Sequence, residues 1–181
     1  MWIDTTIEDA NVEQYLSTVG RAMYLCRNFE TNFKTAIVWL DLATAHKAGK
    51  LPLSKETLIK SYADKFLSQM LGHSVRRLKE EFHPSEYTLE TLNTAKDSRN
   101  VIVHDATSAI INAKPETIKK AATMLHEHVV KVAVGDNIVS AWHYEIQNKK
   151  QPTQKMTESY VENVVEWVFK PLPSGLHPLK V

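Results

Sequence analysis

Arg21-Ala22-Met23-Tyr24-Leu25-Cys26-Arg27-Asn28-Phe29-Glu30-Thr31-Asn32-Phe33-Lys34-Thr35-Ala36-Ile37-Val38-Trp39-Leu40 decides the fold class. Ala22, Leu25, Phe29, Phe33, Ala36, Leu40 and Ala43 recur every three or four residues, the period of one helix face. The stripe predicts a helix over 19–48, roughly 45 Å long at the helical rise per residue. Val12 to Val19 forms a shorter segment that precedes it or continues into it. Gly49-Lys50-Leu51-Pro52 ends it, because a glycine suits the left-handed C′ position and a proline soon after cannot continue a helix.

The same period extends outward. Ser54 suits an N-cap for a stripe of Leu58, Ile59, Tyr62, Ala63, Phe66, Met70 and Leu71. That helix runs on, or restarts after Gly72, through Val75, Leu78 and Phe82 to His83-Pro84. Ser85 suits the cap of a third helix through Leu89, Leu92, Ala95 and Ile102. Pro115 at the first helical position, followed by Glu116, opens a fourth helix. Its stripe of Ile118, Ala121, Leu125, Val129 and Val132 is expected to end near Gly135. Asn137 to Gln147 suits a short helix, and its β-branched and aromatic content also allows a strand. Asn148 to Gln154 reads as a polar linker, Thr157 to Phe169 as an amphipathic helix, and the tail from Pro171 as extended or loose. The expected fold is all-α: a bundle of four or more helices over residues 1–135, with a C-terminal helical extension, 136–181, packed on the same domain.

Composition agrees. The 181 residues, 43% apolar and 24% charged, fit one soluble globular domain. Five glycines leave little room for the turns of an all-β fold. No apolar run approaches the roughly 18 residues of a membrane span, and Met1-Trp2-Ile3-Asp4 does not read as a secretory signal. Cys26 is the single cysteine, so no internal disulfide forms and a reducing, cytoplasmic setting is expected. Without a Cys pair or a His-x-x-x-His, no metal site and no cofactor are expected.

A net charge of +1 argues against a generally basic nucleic-acid binder, but the charge is uneven. Residues 1–46 carry three basic and six acidic groups, and residues 47–79 carry eight basic and two acidic groups. The basic layer is either a solvated helix face or a surface for a phosphate backbone. His73, Arg76 and Arg77 are its candidate RNA contacts.

The chemistry concentrates in Ser98-Arg99-Asn100-Val101-Ile102-Val103-His104. A permanent cation and a group that titrates near neutrality stand close together, as metal-free RNA cleavage requires. On a regular helix Arg99 shares the apolar stripe of Leu92, Ala95, Ile102 and Ala106. His104 lies with Asn93, Asp97 and Asn100 on a polar face, about 140° from Arg99. An arginine on an apolar stripe must find a partner, since burying it unpaired costs several kcal/mol. Glu30 or Asp97 could supply one, and the arginine would then be only structural. His104 on the same reading is an ordinary surface or interface histidine. For both side chains to reach one substrate group, the backbone bends near Ser98 or two copies of the chain share a site. His126-Glu127-His128 has the wrong spacing for a metal pair. Ser108 and Cys26 have no base adjacent in sequence. Trp39, Trp142 and Trp167 suit a core or interface, although Trp142-His143-Tyr144 could stack on bases.

Arg99-Asn100-Val101-Ile102-Val103-His104, late in an all-α bundle, resembles the hallmark of the HEPN superfamily ("higher eukaryotes and prokaryotes nucleotide-binding"). Lys96-Asp97-Ser98 before it and the long early helix with Arg27-Asn28-Phe29-Glu30 are similar to that family as well. The resemblance covers residues 10–135. It implies a metal-independent endoribonuclease acting as a toxin or phage-defence effector, with no cofactor. RNA would be cut by its own 2′-OH to leave a 2′,3′-cyclic phosphate and a 5′-OH. His104 would be general base or acid, Arg99 would stabilise the transition-state charge, and Asn100 would orient the imidazole or hold a phosphate oxygen. It further implies a homodimer whose two motifs form a composite site, and an antitoxin protein as partner. The alternative is a non-catalytic HEPN-like module that binds RNA, nucleotide or a protein.

Overall fold

The computed structural model describes residues 10–49, 60, 70–108 and 114–171. Helix α1 spans Ala10–Lys47 without a break, so the Val12 segment and the long stripe are one element. It ends as its sequence requires. Gly49 adopts a φ of 64°, and its N–H donates to the His46 carbonyl at 3.0 Å. The Ser54 cap and the stripe from Leu58 to Phe66 lie outside the described residues, as does the tail after Pro171.

Helix α2, Leu71–Arg77, contains Gly72 and runs directly into a π-helical turn, Leu78–Phe82. His83 then takes a φ of 46° and Pro84 follows, so the chain cannot continue as a helix. Ser85 caps α3, Glu86–Asp105, by accepting from the Thr88 N–H at 3.2 Å. Helix α4, Pro115–Asn148, starts with the expected proline. It does not end near Gly135, and 137–147 is neither a separate short helix nor a strand. That stretch is the second half of α4, which stops only at Lys149, with a φ of 54° and an N–H bonded to the Glu145 carbonyl. Helix α5, Gln154–Phe169, is capped by Thr153. No strand occurs among the described residues, and none of their helices is long and apolar enough to cross a membrane.

Gly135 explains the longer helix. A Cβ built there would fall 2.4 Å from the Ala95 Cβ and 3.3 Å from the Phe29 ring. The glycine therefore marks the closest approach of α4 to α3, not a terminus. Around this crossing α4 packs along α3, α1 and α5. Phe29 and Phe33 of α1 stack at a centroid distance of 6.1 Å and join Leu92, Val129, Val132 and Val139 in the core. Each such side chain contributes about 1.5–3 kcal/mol by leaving water.

Helix α5 is held from both ends of its length. Near its start the Asn137 amide donates to the Thr157 carbonyl at 2.9 Å. Farther along, the Tyr160 hydroxyl donates to Asp136 at 2.5 Å. At its C-terminus Arg21 donates to the carbonyls of Trp167, Val168 and Lys170 at 3.0, 3.1 and 2.6 Å. A guanidinium there satisfies carbonyls that the helix leaves open and matches the negative end of its dipole.

Candidate functional site

The regular α3 helix carries Arg99 inward and His104 outward, as its phase requires. Arg99 reaches across to α1, where Glu30 accepts a short hydrogen bond from Nη2. Glu30 also accepts from Lys34 Nζ at 2.6 Å, so one carboxylate is shared by two cations. Burial alone would push the Glu30 carboxyl up; the Lys34 hydrogen bond and the Arg99 and Lys34 charges outweigh it and hold the group below the usual carboxylate range. Arg99 Nη1 donates to the Asn100 side-chain oxygen at 3.1 Å. Its Nε is buried without a partner among the described residues. Each Nη carries two hydrogens, so one donor on each remains beyond these two bonds.

Arg99, Asn100 and His104 nevertheless line one cleft of about 580 Å³. Residues Glu86–Asp105 form one continuous α-helix through Ser98. The space is walled by Glu30 of α1, by Leu71 to His73 and Arg76 of α2, and by Lys96, Asp97, Arg99, Asn100 and His104 of α3. His73 and Arg76 thus join the motif residues, as does Lys96, whose Nζ sits 3.2 Å from Asp97. Among the described residues the cleft sets Arg76, Lys96 and Arg99 beside Glu30 and Asp97. Asn100 bonds to Arg99, leaving its amide N–H groups to donate elsewhere.

Arg77 is not brought to the cleft. Its guanidinium is doubly engaged, with Glu81 at 2.8 and 2.9 Å and with Asp41 at 2.6 and 2.9 Å. The Glu81 hydrogen bond leads these contacts in raising its pKa, against burial. It pins α2 to α1 and so fixes the wall that presents His73 and Arg76. Trp142-His143-Tyr144 is also elsewhere: His143 Nε2 donates to the Asn32 carbonyl at 2.8 Å, on the α1–α4 interface. Cys26 is fully buried and burial pushes its thiol up to about 12, so it is no nucleophile. Ser108 donates to the Asp105 carbonyl at 2.6 Å. Among the described residues, no group of three or more His, Cys, Asp or Glu side chains is arranged to hold a metal ion.

Lys34 and Lys96 were not among the candidates read from sequence. Lys34 had a usable signal, standing one helical turn after Glu30. Lys96 had only its place one residue before Asp97. No family model, no curated protein and no solved structure matches the chain.

Proposed function

We propose that the cleft is the active site of a metal-independent endoribonuclease of HEPN type. The observation that carries this reading is that Arg99, Asn100 and His104 line one cleft together with His73 and Arg76. The resemblance of the Arg-Asn-x-x-x-His stretch supplies the reaction.

In that reaction the 2′-oxygen of RNA attacks the adjacent phosphorus. His104 takes the 2′-OH proton as the new P–O bond forms. The P–O5′ bond breaks, and the departing 5′-oxygen needs a proton in return. His73, the cleft's second imidazole, serves as that acid. The products are a 2′,3′-cyclic phosphate and a 5′-OH, with no change of oxidation state. Arg99 donates its remaining Nη hydrogens to the equatorial oxygens as charge builds there, and Glu30 and Asn100 hold its fork in place beforehand. Arg76 and Lys96 attract the phosphate backbone.

The biological setting follows the same resemblance: a cytoplasmic toxin or phage-defence effector, restrained by an antitoxin protein. A second copy of the chain would add a second set of motif residues. A homodimer with a composite site remains part of this reading, since Arg99 and His104 leave α3 about 140° apart.

A second reading has its own support. The Arg99–Glu30 pair joins α3 to α1, and a non-catalytic helical module would need it for that alone. Purified protein incubated with mixed RNA in EDTA separates the two. Cleavage that disappears in His104→Ala, with the fold intact by circular dichroism, supports the enzyme. Intact RNA at all protein concentrations up to those where a dimer elutes leaves the binding module.

A further inference from the structure

Arg99 and Glu30 also line a second hollow of about 610 Å³, between α1 and α3. The two cavities share these residues as a common wall. We propose that this groove seats the nucleotide beside the one being cut, with its base against Tyr24 and its phosphate against Arg27. The inference rests on the RNA reading above.

Three observations carry it. Tyr24 is 63% exposed, on the face of α1 that also carries Met23 and Arg27. Its ring meets Trp167, itself 44% exposed, edge-on at 5.9 Å. Arg21 holds the end of α5 that delivers Trp167, so the aromatic pair is fixed before anything binds. A fixed, solvent-facing ring offers a base a stacking face with little entropy left to lose.

The second observation is charge. Arg27 is exposed on the groove and has no ion-pair partner among the described residues. Lys34 and Arg99 both bind Glu30, the one carboxylate among the described residues of the groove. Among the described lining residues of the two cavities, Arg27 and Arg76 stand outside any ion pair, beside the Arg99–Glu30 and Lys96–Asp97 pairs. A polyanion that follows this furrow meets positive charge on both sides of Arg99.

Continuity is the third. Because Arg99 lines both spaces, a phosphate at its guanidinium has one neighbour toward His104 and the other toward Tyr24. A strand is the ligand that uses both. A lone mononucleotide would leave the groove empty.

Binding would be read from the anisotropy of a fluorescein-labelled, single-stranded 2′-O-methyl oligouridylate, which lacks the nucleophile and is not cut. Tyr24→Ala should weaken it about tenfold, the loss of one stacked base. Arg27→Gln should weaken it and lower the salt slope by about one. Unchanged affinity in both variants, while wild-type protein cleaves RNA, overturns the groove and leaves the cleavage reading standing. Tyr24-dependent binding without any cleavage keeps the groove and sinks the enzyme. No binding by wild-type protein refutes the groove. Conversion of a dimer to a monomer by both variants would assign this face to a second copy and overturn the proposal.

Discussion

Arg99 on α3 and Glu30 on α1 form an ion pair across the helix interface, and Lys34 binds the same carboxylate. The arrangement anchors two helices and presents a guanidinium to an external anion.

Glu30→Gln should therefore destabilise the protein most at neutral pH. The carboxyl is held below its ordinary value in the folded state. Its stabilisation is present above the unfolded pKa of about 4.3 and lost as pH falls through the lower folded value. Melting temperatures from pH 2.5 to 7 should show wild-type and variant curves converging on the acid side. Coincident curves would show that the pair contributes nothing to folding.

Gly135→Ala tests the α3–α4 crossing. Helix propensity alone favours alanine by about 1 kcal/mol. The added methyl would stand 2.4 Å from the Ala95 Cβ, and overpacking of this kind costs about 1–3 kcal/mol. A net loss of stability in urea titration is expected. Stabilisation would mean that the helices are farther apart than described.

Tyr160→Phe addresses the contact of α5 with the buried Asp136 of α4. Asp136 is fully buried and burial pushes its carboxyl up, against hydrogen bonds from Tyr160 and Asn32. A group raised on folding gives stability that is complete below its unfolded pKa, about 3.9, and lost as pH rises through the folded value. Without the Tyr160 donor that loss grows. The variant should cost about 1–3 kcal/mol at neutral pH and less near pH 4. An equal cost at both would place the hydroxyl's contribution outside the Asp136 pair.

Cys26 should resist iodoacetamide at pH 8 in the native protein and react once it is unfolded. Its thiol is buried and pushed up to about 12, which leaves almost no thiolate. Rapid native alkylation would contradict this.

The sequence announced those features whose causes are local. Ser85 caps its own helix, Pro115 opens one, and Gly49 and His83 close theirs through backbone conformation. Gly135 misled because the same residue serves termini and close helix contacts, and only the facing Ala95 decides between them. The β-branched run at 138–139 is helical because it is packed between neighbouring helices, which overrides a weak local preference. Arg99 declared its need for a partner from its place on the stripe. Glu30, 69 positions away in sequence, was one of two eligible carboxylates until the helices were arranged. The shared cleft was hidden for the same reason: α2 supplies a wall that no phase angle on α3 contains.

The most direct measurement uses a DNA oligonucleotide carrying a single ribonucleotide, incubated with the protein in EDTA. Attack by a 2′-OH requires one cut, on the 3′ side of that ribonucleotide, with a 2′,3′-cyclic phosphate on one product and a 5′-OH on the other. His104→Ala and Arg99→Ala should abolish it, and the all-deoxy strand should stay whole. Cutting of the all-deoxy strand, a linear phosphate formed without a cyclic precursor, or no cut by folded wild-type protein would contradict the proposed chemistry.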